Sequence, residues 1–343
     1  MPVAIPVVLG CLACIAGLIL CFRRPLLLAV GKRLVQSKID AQLAAAGLVC
    51  RPVALPDGTE AWIRERPASR NDAGPPLLVL PGATVDIDFM GARVSGIVQA
   101  LPGRRVVIIE LPYHGRNRPQ TRDFSSPEPS MPAMAAYIET VRTALGISEP
   151  VDLLGYSLGG GLAAQYAIDH GDGLRRLALL APFFFEACCD TFSETLDREE
   201  WRSIHGWETV DEMLHFFHQW LGMPEDATPP SLILDALHAM RTERYPAGYW
   251  SDFFTASDAV STTSRTLLRD RADDFAALGV PTLVVTGRQD AVCDPVKLAR
   301  LPEIFGPTPC TVTAVDSAHV FAGSATRTIF HAARDDLKAF LEG

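Results

Sequence analysis

From about residue 45 onward, short continuous apolar runs alternate with stretches of helical apolar spacing, and that alternation constrains the fold more than any other feature. The runs are "PPLLVLPG", "RRVVIIELP", "VDLLGYS", "LRRLALLAP" and "VPTLVVTG". Each has strand length and offers no polar face, as in a strand covered by helices on both sides. Between them lie "IDFMGARVSGIVQAL", "AMAAYIETVRTAL" and "LGGGLAAQYAIDH", whose spacing is helical. The pattern predicts an α/β fold: a mostly parallel, doubly wound sheet. Ahead of it, "GLVCRPVAL" and "TEAWIRERP" read as two antiparallel strands turned at Pro56–Gly58. The alternation breaks from about 183 to 278, where the chain is helical and aromatic, and resumes through "TPCTVTAVDSAH" to a final amphipathic helix. The expected organisation is therefore a core in two parts, 45–182 and 279–343, around a helical cap at 183–278. That cap leaves from the carboxyl ends of the strands, where open α/β sheets bind ligands.

The N-terminus has a different character. "MPVAIPVVLGCLACIAGLILCF" runs 22 residues without a charge and then meets Arg23, Arg24, Lys32, Arg33 and Lys38. About 20 apolar residues cross a bilayer core. The basic residues follow the run instead of preceding it, which is the reverse of a secretory signal. Residues 1–22 are thus expected to be a single-pass transmembrane anchor and 23–44 a basic juxtamembrane segment, with the catalytic part cytoplasmic. A cleaved or lipidated signal (at Val8-Leu9-Gly10-Cys11) and an apolar helix packed on the protein itself remain open alternatives. With 48% hydrophobic residues the chain can build a large core, and its net charge of −9 argues against nucleic acid as a partner. The eight cysteines have neither a disulfide framework nor metal-ligand spacing, so reduced thiols are expected.

Gly155-Tyr156-Ser157-Leu158-Gly159 ends one apolar run and opens a helix. A G-x-S-x-G sequence in that context predicts a sharp turn that exposes the serine, because only small residues fit two positions either side of it. A serine hydroxyl needs a positioned base. Asp290 and His319 stand at the exits of the next two predicted strands, in the order serine, acid, histidine. Asp294 and Asp316 compete for the acid role. His114, also at a strand exit, is out of order for the base and is read as a loop residue shaping the pocket. His215 and His218 share a helix face but lack a third ligand, so they are read as cap residues and no metal is expected. An oxyanion needs two donors. The backbone N–H groups of Leu158, after the serine, and Ala83, in the loop opened by Gly82, are the candidates.

Together "LPG", "ELPYHGRN", "GYSLGG", "GRQD" and "DSAHVF" resemble the α/β-hydrolase superfamily over about residues 45–343. Within it, the arrangement is similar to the membrane-anchored monoacylglycerol lipases of the α/β-hydrolase-domain type and related bacterial lipases. The resemblance implies an α/β-hydrolase fold, a Ser–Asp–His triad, and hydrolysis of a lipid-like ester without metal or organic cofactor. Three positions depart from the pattern: Pro81-Gly82 replaces His-Gly, Glu110 to Gly115 replaces Asp-x-Pro-Gly-x-Gly, and Ala318 replaces the glycine before the histidine. A carbon–carbon bond hydrolase, a thioesterase or an acyltransferase uses the same triad, and a small-molecule receptor retaining it is the reading from another class. The cap is dense in aromatics, from Phe183, Phe184 and Phe185 through Trp201, Trp207, Phe216, Phe217 and Trp220 to Trp250, Phe253 and Phe254. Most are expected to bind cap to core and a minority to line an acyl pocket, for which Tyr156, His114, Phe183, Phe184, Val292 and Val320 are candidates. Oligomeric state is not read from the sequence.

Overall fold

The structure, a computed structural model, describes residues 4–69, 74–118, 124, 130–196, 207–256, 266–324 and 326–343; the side chains of 4–23, 195–196, 251 and 254–256 lie outside that description. Eight strands form one sheet: β1 (Val49–Ala54), β2 (Glu60–Arg66), β3 (Leu77–Leu80), β4 (Val106–Ile109), β5 (Val151–Tyr156), β6 (Leu174–Leu180), β7 (Thr282–Gly287) and β8 (Cys310–Val315). Their spatial order is β1-β2-β4-β3-β5-β6-β7-β8. The β1–β2 hairpin joins through an antiparallel β2–β4 pair, and every pair from β4 to β8 is parallel. The all-buried β3, β4 and β5 match their continuous apolar runs. Helices α2 (Ile87–Ala100), α3 (Met131–Ala144) and α4 (Leu158–His170) form the crossovers. Separate apolar clusters fill the two faces of the sheet. Because the chain passes from β4 back across β3 to β5, the exits of β3 and β5 flank the switch in strand order, the usual ligand position in such sheets.

Between β6 and β7 the cap carries α5 (Asp190–Leu196), α6 (Val210–Gln219), α7 (Ser231–Arg244) and α8 (Tyr249–Ala256). Thr209 and Glu212 close a capping box at the start of α6. Trp201 and the side chain of Phe254 lie outside the described residues. The carbonyl of Leu221, after α6, accepts from the N–H groups of Val320 and Phe321, so the cap is tied to the loop after β8.

At the N-terminus one helix, α1 (Ala4–Ala46), runs through both the expected anchor and the expected juxtamembrane segment. Its second half is amphipathic: Val35, Ile39, Leu43 and Ala46 are buried at helical spacing against α2 and α7. A Cβ on Gly31 would sit 2.6 Å from the carbonyl of Leu232, and one on Gly91 would sit 2.5 Å from Leu43, so small residues set both approaches. The expected transmembrane helix at 1–22 is not shown: among the described residues no helix is long and apolar enough to cross a membrane.

The base of the sheet is held by a buried charge cluster. Asp152, fully buried at the start of β5, accepts from Arg104 and from Arg175, whose Nε lies 2.8 Å away. Both arginines also reach the carbonyl of Leu341 in the C-terminal helix Arg334–Glu342. Removing one partner from such a cluster leaves an uncompensated buried charge. Asp152→Ala is expected to lower stability by about 3–5 kcal/mol in urea unfolding, more than an exposed aspartate such as Asp335 costs.

Candidate active site

Ser157 stands at the corner between β5 and α4 with φ +53° and ψ −120°. A non-glycine residue in that region is strained by roughly 1–3 kcal/mol, and the surroundings must hold it there. They do so through close approach. A Cβ on Gly155 would lie 2.1 Å from the carbonyl of Gly159, and one on Gly159 would lie 2.3 Å from the carbonyl of Pro81. The Ser157 N–H donates to the Leu180 carbonyl at 3.0 Å, and the Ser157 carbonyl accepts from Gly160 at 2.8 Å and Phe183 at 2.9 Å. The corner is therefore pinned to β6, and the hydroxyl points out of it.

His319, in the loop after β8, brings Nε2 to 3.0 Å from Ser157 Oγ, and its Nδ1 lies 2.9 Å from Asp290 Oδ2. Asp290 follows β7, and its Oδ1 accepts from the N–H groups of Val292 (2.8 Å) and Cys293 (2.9 Å), so the carboxylate cannot rotate freely. Tyr156, one residue before the serine, donates from its hydroxyl to the His319 carbonyl at 3.3 Å and packs its ring 5.7 Å from the imidazole. The competing acids are used elsewhere. Asp294 caps the helix Pro295–Leu298, and Asp316 accepts from Gln289 at the surface. His218 bonds the Met223 carbonyl at 2.7 Å, while His215 is exposed. Asp290, Cys293 and His319 bring potential metal-ligand atoms within 4.8 Å of one another. Each already has a partner, though: the Cys293 thiol, which burial keeps protonated, lies 3.7 Å from the Ala181 carbonyl.

The loop after β3 approaches the serine so closely that a Cβ on Gly82 would be 3.1 Å from that of Ser157. Among the described residues, no protein acceptor is found for the N–H of Ala83 or of Leu158. The next N–H, from Thr84 at φ +62°, donates to His114 Nε2 at 3.1 Å. Burial lowers the His114 pKa to about 4, so the ring is neutral and accepts at Nε2 while Nδ1–H donates to the Pro112 carbonyl at 2.9 Å. Glu110, also fully buried, accepts from the N–H of Ile87 at 3.1 Å and of Arg116 at 3.3 Å. Cap residues grip the same loop: Tyr245 accepts from the Gly115 N–H at 2.6 Å, and Tyr249 donates to the Tyr113 carbonyl at 2.7 Å.

A cavity of about 350 Å³ opens on Ser157 and His319. Of the expected pocket residues, Tyr156, Phe183, Val292 and Val320 line it. Phe184 and His114 do not: Phe184 is buried in the core, and His114 sits behind the β3 loop against Trp250 and Phe253. From the cap, Phe185, Trp207, Phe216 and Phe217 reach the cavity, whereas Trp220, Trp250 and Phe253 pack between elements. Sequence reasoning missed Arg93, Arg241 and Arg244, which also line it. The available signal was Arg93 as the one basic residue in an otherwise largely apolar helical run.

The Glu110 carboxyl gives the site a pH signature. Burial pushes it from an ordinary 4.5 up to about 8, against the two N–H donors that pull it down. The folded state thus binds the proton more tightly than the unfolded state. That contribution to stability is complete below about pH 4.5 and is lost as the pH rises through about 8. The stability of Glu110→Gln, which cannot ionise, is expected to gain on wild type across this window, by about 5 kcal/mol in all. Urea unfolding at a series of pH values reads the difference directly.

Known proteins share the fold described above. A pimeloyl-[acyl-carrier protein] methyl ester esterase of Aeromonas hydrophila is 28% identical over 255 residues, covering 72% of this chain and 89% of that protein. Among solved structures, a bacterial membrane phospholipase A described as a virulence factor superposes with a TM-score of 0.68 at 21% identity, over 98% of this chain and 97% of that one. An esterase from Exiguobacterium antarcticum superposes with a TM-score of 0.61 at 17% identity, over 86% of this chain and 98% of that one. The family defined by the alpha/beta hydrolase fold matches residues 75–322, from just before β3 to just past His319. On that match the chain belongs to the α/β hydrolase family.

Proposed function

We propose that the chain is a serine hydrolase that cleaves carboxylic esters of lipid-like substrates through an acyl–Ser157 intermediate. The observation that carries the reading is the unbroken hydrogen-bonded series Ser157–His319–Asp290 at the mouth of a largely apolar cavity. In this reading His319 Nε2 takes the Ser157 proton as Oγ attacks the ester carbonyl. Asp290 holds the Nδ1–H tautomer and stabilises the imidazolium. The tetrahedral oxyanion is received by the N–H groups of Ala83 and Leu158, neither of which has another acceptor to give up among the described residues. Collapse expels the alcohol, which takes the proton from His319. Water then enters, loses a proton to His319 and releases the acid, restoring Ser157.

Membrane association is part of the proposal. Leu26, Leu27, Val30 and Leu34 form an exposed apolar stripe on α1, beside exposed Arg24, Arg33 and Lys38. The stripe continues the uncharged run of residues 1–22. Such a helix suits a lipid surface, with apolar residues in the acyl region and basic ones at the head groups. The similarity to a membrane phospholipase A is consistent with a substrate drawn from the bilayer.

A fluorophosphonate probe is expected to label wild type and not Ser157→Ala, and to label His319→Ala much more slowly. Undiminished labelling of the Ser157 variant defeats the mechanism. His114 acts as a positioning residue for the Ala83–Thr84 loop. His114→Phe keeps the volume and loses the acceptor, so kcat is expected to fall at least about tenfold with little change in KM, towards the ~100-fold cost of an oxyanion donor. His114→Gln, which restores an acceptor, is expected to recover part of that loss in steady-state assays on a chromogenic ester.

A further inference from the structure

His319 sits on a loop that the core holds through its carbonyls. The Gln289 N–H donates to the Ser317 carbonyl at 3.0 Å, the Tyr156 hydroxyl to that of His319 at 3.3 Å, and the Ile329 N–H to that of Val320 at 2.8 Å. The two N–H groups that follow the histidine go elsewhere. Those of Val320 and Phe321 donate to one carbonyl of the cap, that of Leu221, at 3.2 and 3.1 Å.

Leu221 belongs to a tight turn after α6. Met223 closes it by donating its N–H to the Phe217 carbonyl at 2.9 Å, with Gly222 between them at φ +74°. His218 fastens the turn: Nδ1–H donates to the Met223 carbonyl at 2.7 Å, and Nε2 lies 3.3 Å from Thr228 Oγ1. The left-handed φ favours glycine at 222, but it is only half of the requirement. A Cβ built there would overlap the Cβ of Ala318, whereas the next atom it meets, the Ala318 Cα, is 3.5 Å away. The bare face of Gly222 thus lies against the residue before His319, while the Leu221 carbonyl holds the two residues after it. This seam is also a wall of the cavity, lined by Leu221 and Met223 from the cap and by Val320 and Phe321 from the loop.

A general base must stand within hydrogen-bond reach of the hydroxyl it deprotonates, and a misplacement of about 1 Å can cost ~100-fold in rate. Resting on the ester-hydrolase reading above, we infer that the cap supplies a positioning element for the base: the Leu221–Gly222 turn, fastened by His218, holds His319 in register with Ser157. The triad is complete only while this turn is seated on the loop. Gly222 and His218 are positioning residues that act through His319.

A double-mutant cycle tests this in the full-length protein, with p-nitrophenyl butyrate as substrate and the rate of fluorophosphonate labelling as a second readout. Gly222→Ala is expected to lower kcat and the labelling rate at least about tenfold, with KM changed less than about threefold. In an Ala318→Gly background the overlap is absent, and the same change is expected to cost less than about threefold in kcat. The strain of an alanine at φ +74° is common to both backgrounds and cancels in the comparison. His218→Leu, which removes the donor to Met223, is expected to lower kcat at least about threefold, and His218→Asn, which keeps a donor, to restore part of the loss. If Gly222→Ala does not fold, the His218 pair decides alone. Wild-type kcat in Gly222→Ala or in His218→Leu, a loss confined to KM, or an equal loss from Gly222→Ala in both backgrounds overturns the inference. Labelling of Ser157 in wild type then leaves the hydrolase reading standing. Failure of wild type both to label and to turn over the ester overturns both.

Discussion

The structure depends on a close approach. Gly155 and Gly159 let the end of β5 and the start of α4 come within contact distance of each other and of the carbonyl of Pro81. Without that approach Ser157 has no reason to hold a positive φ, because an alanine-sized side chain at either glycine would overlap backbone atoms. The same approach brings the β3 loop against the serine, so one steric condition both presents the hydroxyl and sets Gly82 close beside it. Strain at the corner is held by the hydrogen bonds from Ser157 to Leu180, Gly160 and Phe183.

Around that corner the polar support is buried and committed. His114 and Glu110 occupy donors on the β3 loop and at the start of α2, and His114 is covered by Trp250 and Phe253 of the cap. A loop carrying positive φ at Thr84 is thus held by His114 from the loop after β4, which is itself held by hydroxyls from the helical insertion. The cap consequently does more than roof the cavity. It grips the loop of Tyr113 to Gly115 through Tyr245 and Tyr249, and the loop of His319 through Leu221.

Helix α1 extends this coupling outward. Its buried stripe packs on α2, which starts next to the β3 loop, and on α7, which brings Arg241 and Arg244 to the cavity. Its other face leaves Leu26, Leu27, Val30 and Leu34 uncovered. A single helix therefore joins the apolar N-terminal run to two walls of the cavity.

Much of this was legible in the chain. The apolar runs determined the sheet, because strands covered on both faces have no room for polar residues, and the break after Pro182 located the insertion. Spacing and order singled out Ser157, Asp290 and His319, since strand exits in a parallel sheet lie at one edge. Tertiary structure alone decided the rest. That Phe184 faces the core while Phe183 faces the cavity depends on the path of the chain after β6, which local pattern does not encode. His114 and Glu110 became supports of a loop about 30 residues away only through the neighbouring positions of β3 and β4. Residues 23–44 looked like a basic segment beside a membrane, yet Val35, Ile39 and Leu43 within it are buried where α1 docks on α2 and α7, because an amphipathic stripe does not say which apolar surface will cover it. The sequence by itself determined the architecture and the order of its reactive residues, which follow from periodicity and turn chemistry. The lining of the cavity, including its three arginines, was decided by the tertiary fold, which brings α2 and a cap inserted more than 80 residues later to one cavity, a long-range juxtaposition that no local property of either segment specifies.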